Sequence, residues 1–167
     1  MVFWGGRSSN DSVDRAVREH PGALIPFTSI SPERTAYRPQ WEQHSGELLR
    51  QLDEMLTTGL YKGTGEISAA HLPSAGFAET DFDVNGPMMT CILELACKHK
   101  VPVKVHVEST RMAALSQLLQ RFSDVPVIWA HGGYTPLFLA RRMLAQHPNP
   151  YYELSARTWP HHPRSPD

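Results

Sequence analysis

The chain is poor in cysteine, in long apolar runs and in charge of either sign, and each shortage excludes something. Its 167 residues hold two cysteines, Cys91 and Cys97. They lie six apart on one expected helix, and at about 100° per residue they point to different sides, which argues against a disulfide and suits a reducing compartment. No apolar run approaches the ~20 residues of a membrane span. The opening MVFWGGRSSND has neither the basic nor the apolar segment of a secretory signal, so the expected location is cytoplasmic, with no membrane partner. Lys and Arg number 16 against 17 Asp and Glu, a formal charge of −1. That balance gives no electrostatic case for binding nucleic acid or an anionic surface. The sequence has no internal repeat. What is left is an ordinary globular composition, 41% hydrophobic, sufficient for one core and read as a single domain over 1–167.

Histidine is plentiful, with nine in all. The chain is organised around 101–133, VPVKVHVESTRMAALSQLLQRFSDVPVIWAHGG. Two short Val/Ile-rich runs, 101–107 and 125–130, lead into or hold His106 and His131. Between them Leu115, Leu118, Leu119 and Phe122 fall at helical spacing. Strand, helix, strand with strands buried on both faces is a parallel crossover unit. Further strands are expected at 2–4, 23–30, 60–67 and 149–154. Helices are expected with Val13, Ala16 and Val17 inward, over 39–56 with Trp41, Leu48, Leu52 and Leu56 inward, from Pro87, and from Thr135-Pro136. Pro26 should bend the second strand, and the stretch 68–86 reads as a long polar loop of the kind that forms lids. Asp81 and Asp83 would cap the helix after it.

Six strands alternating with five helices fit either a doubly wound sheet or part of a (β/α)8 barrel. A whole barrel takes ~200–250 residues, so the expected architecture is a partial TIM barrel. In either fold, chemistry collects at the C-terminal ends of the strands. Glu66, His106 and His131 stand at three such ends. One carboxylate and two imidazoles suit Zn2+ or a similar divalent ion. Competing structural readings are a core histidine for His106 and an ion pair with Lys104 or Arg157 for Glu66. His-Gly-Gly after a buried strand offers no packing reason for His131. Glu108, two residues after His106, points the same way along the strand, either as a support behind the site or as a helix N-terminal charge near Thr110. Arg157 could clamp a carboxylate on a small-molecule substrate; an ordinary surface arginine is the alternative. Trp129 and Tyr134 flank His131 as pocket walls, with core packing the alternative for Trp129. His71 is placed in solvent within the lid, with reach to the site the alternative, and His161 and His162 in a solvated Pro-rich tail.

These stretches carry a resemblance. KGTGEI with Glu66, VPVKVHVE with His106, VPVIWAHGG with His131 and HPNPYYELSAR resemble the metal-dependent hydrolases of the amidohydrolase superfamily, in the branch shared with metal-dependent decarboxylases. MVFWGG and ALIPFTSISPE resemble its second and third strands. The resemblance implies strands two to seven of the barrel, lacking the first and last. It implies a metal ligand at His106, a ligand or acid–base group at His131, and a bridging carboxylate at Glu66. The implied cofactor is Zn2+, with Mn2+ the alternative. The implied reaction is hydrolysis by metal-activated water, with decarboxylation in the same fold or a non-catalytic α/β binding module as alternatives. The first-strand His-x-His pair and the last-strand aspartate of the superfamily have no counterparts here. The expectation is therefore weak metal binding, reduced or no activity, and open strand edges able to pair with another copy in a homo-oligomer.

Overall fold

The structure is a computed structural model that describes residues 2–4, 9–31, 38–73 and 79–155. Strands and helices alternate as β1 (Val2–Trp4), α1 (Asn10–Glu19), β2 (Leu24–Pro26), α2 (Arg38–Glu42), α3 (Gly46–Thr57), β3 (Thr64–His71), β4 (Thr80–Asp81), α4 (Pro87–His99), β5 (Val103–Val107), α5 (Met112–Arg121), β6 (Val127–Trp129), α6 (Leu137–Gln146) and β7 (Pro150–Tyr152). β1 pairs with β2, and β3, β5, β6 and β7 pair in that order, all in parallel. A bridge between Thr28 and Thr64 joins the two groups, supported by Lys62 N–H to the Pro26 carbonyl at 2.8 Å and Gly65 N–H to the Thr28 carbonyl at 2.9 Å. Each parallel strand therefore lies beside its neighbour in sequence. That is the stave order of a barrel, whereas a doubly wound sheet reverses order at a switch point. The fold is a partial TIM barrel. No described helix is long and apolar enough to cross a membrane.

The core lies between the staves and their helices. Val103, Val105, Val107 and Val127 are fully buried, as are Ile92, Leu93, Leu115 and Leu118 from α4 and α5. Burying such side chains is the main favourable term in folding, at about 1.5–3 kcal/mol each.

The structure corrects several expectations. The third strand starts and ends later than 60–67. Residues 60–63 run as a connection, while the small side chains of Ser68, Ala69 and Ala70 let the strand continue to His71, with Ser68 opposite His106 and Ala70 opposite Val107. Part of the expected lid is thus strand, and β4 folds back antiparallel on Ala70 and His71. Asp81 lies in β4 and pairs with Arg111 at 2.5 and 2.8 Å instead of capping α4, whose N-cap is Gly86. The single helix expected over 39–56 is two, broken where His44 takes φ 49°. Trp129 is not a pocket wall. Strand alternation puts it on the same face as Val127, where it is fully buried and its indole N–H donates to the Val107 carbonyl at 2.9 Å. Arg157, His161 and His162 lie outside the described residues.

Candidate metal centre

β5 carries alternation in plain view: Val103, Val105 and Val107 face the helices, and Lys104, His106 and Glu108 face the other way. The second face is enclosed as well, which is why the strand is buried on both sides, yet its lining is polar. A polar column inside a barrel is costly unless every member is paired, and the neighbouring strands pair each one.

Glu66 comes from β3. Its position depends on Gly65, which has φ +111° and approaches β5 so closely that a Cβ there would lie 2.1 Å from the Lys104 carbonyl oxygen. Glu66 is in the first half of the strand, not at its C-terminal end. Its Oε2 lies 3.1 Å from Lys104 Nζ, and its Oε1 lies 3.8 Å from His106 Nδ1 and 3.3 Å from His131 Nε2. The ion pair with Lys104 and the approach to the imidazoles are both present.

His131 reaches this point through its glycines, which do have a packing reason. After β6 the chain turns with φ 54° at His131 and 53° at Gly132 and Gly133. A Cβ at Gly133 would stand 1.8 Å from the Val107 carbonyl oxygen, and one at Gly132 would meet the Tyr152 ring at 2.1 Å. The turn swings His131 toward Glu66 and brings Tyr134 back over it, the two rings stacked at 5.5 Å. Tyr134 also meets the His106 ring at 5.5 Å, so it sits against both imidazoles.

Glu153 and the His71–Glu108 pair were not assigned from the sequence. Glu153 follows β7, and its N–H donates to the Trp129 carbonyl at 3.1 Å, which brings it beside the His131 turn. Its Oε2 accepts from the His131 backbone N–H at 3.0 Å and lies 3.1 Å from His131 Nδ1. Nδ1–H also donates to the Ser155 carbonyl at 2.7 Å, which leaves Nε2 facing Glu66. A carboxylate one residue past a parallel strand, next to the strand that ends in histidine, was the available signal. His71 is buried instead of solvent-facing, with Nδ1 2.6 Å from Glu108 Oε1, and that same oxygen lies 3.3 Å from His106 Nε2.

Electrostatics follow from these contacts. Burial works to raise the Glu66 carboxyl, but the His131 hydrogen bond and the charges of Lys104 and the two histidines hold it down at about 2. Burial likewise opposes the fall of Glu108, which His106 and His71 hold at about 2. Glu153 is driven well below the usual carboxylate range, against its burial, by His131, Ser155 and Lys104. His131 moves the other way: burial would lower it, but Glu153 and Glu66 raise it from 6.5 to about 9. Burial and the three surrounding carboxylates raise Tyr134.

A pH dependence of stability follows for the metal-free protein. The raised His131 contributes stability that is full below about pH 6.5 and lost as pH rises through about 9. The depressed Glu66 and Glu108 contribute stability that is full above about pH 4.5 and lost as pH falls toward 2. Thermal melts in the presence of chelator should therefore show a maximum between about pH 4.5 and 6.5 and decline on both sides. A Tm still rising from pH 7 to 9 would contradict this assignment.

Among the described residues, two sets of side chains could hold an ion: Glu66, His106 and His131, and His71, His106 and Glu108, each with donor atoms within 4.8 Å of one another. Their spacing separates them. Ligands about 2.0–2.1 Å from a tetrahedral ion sit roughly 3.3 Å apart. In the first set, Glu66 Oε1 is 3.3 and 3.8 Å from the two imidazole nitrogens. In the second, the 2.6 Å contact of His71 with Glu108 is a closed hydrogen bond. Two imidazoles and a carboxylate held open on two strands and the turn after a third fit a divalent ion.

Residues 7–166 match the family described as Amidohydrolase. Among solved structures, the chain is similar to an uncharacterized TIM-barrel protein from Bordetella bronchiseptica, with 18% identity and a TM-score of 0.66. The match covers 91% of this chain and 53% of that one, so the chain spans about half the length of its structural neighbour. No curated protein matches the sequence.

Proposed function

The chain belongs to the amidohydrolase family, and we propose that it acts as a metal-dependent hydrolase on a small molecule, with Glu66, His106 and His131 holding the ion. The observation that carries this reading is the convergence of those three side chains from β3, β5 and the turn after β6, donor atoms within 4.8 Å. Zn2+ is the ion proposed first, Mn2+ second, since the donors are two imidazoles and one carboxylate. Bound there, the ion would lower the pKa of water and polarise a scissile carbonyl.

The chain's own groups supply the rest. His131 Nδ1 is tied to the Ser155 carbonyl, so Nε2 is the nitrogen that turns its lone pair to the Glu66 side, where it would hold the ion. Glu66 lies between the two imidazoles, and its carboxylate is the group of the chain placed to accept a proton from water in the site. Lys104 offsets the charge of both Glu66 and Glu153, at 3.1 and 3.8 Å. Tyr134 lies against both histidine rings, in the place to border a substrate. Arg157 is proposed to hold a substrate carboxylate.

The test is reconstitution of chelated protein with Zn2+ or Mn2+, followed by assay on simple esters, lactones, amides and aromatic carboxylic acids. Hydrolysis that chelator removes, and that Glu66→Gln lowers by about 10²–10⁴-fold, is the expected result. Release of carbon dioxide from an acid without hydrolysis would assign a decarboxylase. Bound metal with no turnover on any substrate would support a non-catalytic module.

A further inference from the structure

We propose that His71 and Glu108 are a positioning pair for His106, a buried relay in which His71 Nδ1–H and His106 Nε2–H both donate to Glu108 Oε1. The inference rests on the reading of Glu66, His106 and His131 as the ligand set, and it adds two residues to which that reading gives no role.

The backbone brings the pair together. β3 extends to His71, and the Glu108 N–H donates to the Ala70 carbonyl at 3.1 Å, locking the top of β3 to the end of β5. The side chains of His71, His106 and Glu108 are only 8%, 4% and 7% exposed. An ionised carboxylate can only accept, so the ring nitrogens facing Glu108 at 2.6 and 3.3 Å both carry hydrogen. For His106 that fixes the tautomer. With Nε2 protonated toward Glu108, Nδ1 keeps its lone pair and faces Glu66 at 3.8 Å. The His71 ring stands edge-on to His106 at 5.0 Å and 83°, which blocks the ring from flipping. A carboxylate behind a liganding imidazole orients the ring and raises its basicity, and its loss commonly costs 10–100-fold in metal affinity. Here the carboxylate is itself held by a second histidine.

Two measurements test the pair. Long-range 15N–1H NMR on chelated, histidine-labelled protein reads the His106 tautomer. Competition against a chromophoric chelator reads Zn2+ affinity and stoichiometry. The wild type is expected to show the Nε2–H form of His106. Glu108→Gln, close in shape, should lose that bias and bind Zn2+ about 10–100-fold more weakly at unchanged stoichiometry. His71→Phe, which keeps an aromatic ring against His106, should weaken binding by less than Glu108→Gln and keep the tautomer. It also carries the test if Glu108→Gln does not fold. A folded Glu108→Gln with wild-type tautomer and affinity would overturn the proposal. Loss of one of two bound equivalents would overturn it too, by making the pair a second ion site. A wild type that retains no zinc, yet shows the Nε2–H form only while Glu108 is intact, would sink the ligand reading and uphold the pair.

Discussion

Replacing His131 by alanine is expected to strip the protein of its divalent ion while leaving it folded. The affinity loss should exceed the roughly 10–100-fold that follows removal of a partner behind a ligand, because a ligand itself is lost. The fold should hold because the 13% exposed side chain is at the rim of the polar column. The turn that carries it is held through its own N–H groups: that of His131 donates to the Glu153 carboxylate and that of Thr135 to the Gly132 carbonyl at 2.9 Å. Glu66 and Glu153 lose an imidazole but keep Lys104 between them. In the metal-free variant the decline of stability from pH 6.5 to 9 should disappear, since the group that titrates there is gone. His106→Ala should cost the ion as well, with a further stability loss of about 1–3 kcal/mol, because Glu108 is then left buried with one donor fewer. Elemental analysis and pH-dependent melts read both effects. An ion retained at full stoichiometry by His131→Ala would restrict His131 to acid–base work.

Gly65→Ala is expected to be among the most damaging small substitutions at the described residues, in the same class as Gly133→Ala. At φ +111° a side chain is strained in any surroundings, and here the added carbon would fall 2.1 Å from the Lys104 carbonyl oxygen and 3.0 Å from its carbon. Both obstacles are backbone of β5, so neither can rotate away. Relief requires separating β3 from β5, which breaks the register that sets Thr64 opposite Val103 and Ile67 opposite Val105. A loss of at least about 3–5 kcal/mol is expected, a large share of the roughly 5–15 kcal/mol that keeps a domain folded. In a protein of this size that is roughly 6–20 °C in Tm. Gly46→Ala is the matching control: nothing lies within 4 Å of the added carbon, and at the start of α3 the change should be neutral or stabilising by about 0.4–1 kcal/mol. Thermal melts of the two variants side by side separate the clash from any generic effect of adding a methyl group. Equal Tm values would refute it.

The barrel order was legible because Val/Ile runs and amphipathic stretches alternate along the chain, and those two periods report burial directly. His106, His131 and Glu66 were legible as strand-associated groups for the same reason. The run of β3 past Ile67 was not, since Ser68-Ala69-Ala70 has neither the branching nor the alternation that marks a strand. Missing that run placed His71 in solvent and left Glu108 without its partner. The polar face of β5 was present as Lys104, His106 and Glu108 at period two, but the flanking valines dominate the hydrophobic signal. Glu153 was hidden because its role arises from the pairing of β6 with β7, a long-range contact that no local pattern encodes. Trp129 was misplaced because a tryptophan beside a histidine suggests a pocket, whereas strand parity with Val127 decides the face. The break at His44 depends on one left-handed residue with no glycine to announce it.

The most direct test of the central claim is anomalous diffraction at the zinc edge from crystals of the chain grown with Zn2+. The account predicts one strong peak within bonding distance of Glu66, His106 and His131, with Glu108 and His71 hydrogen-bonded behind His106. A peak seated between His71 and Glu108, or no peak among the three ligands at saturating zinc, would contradict it.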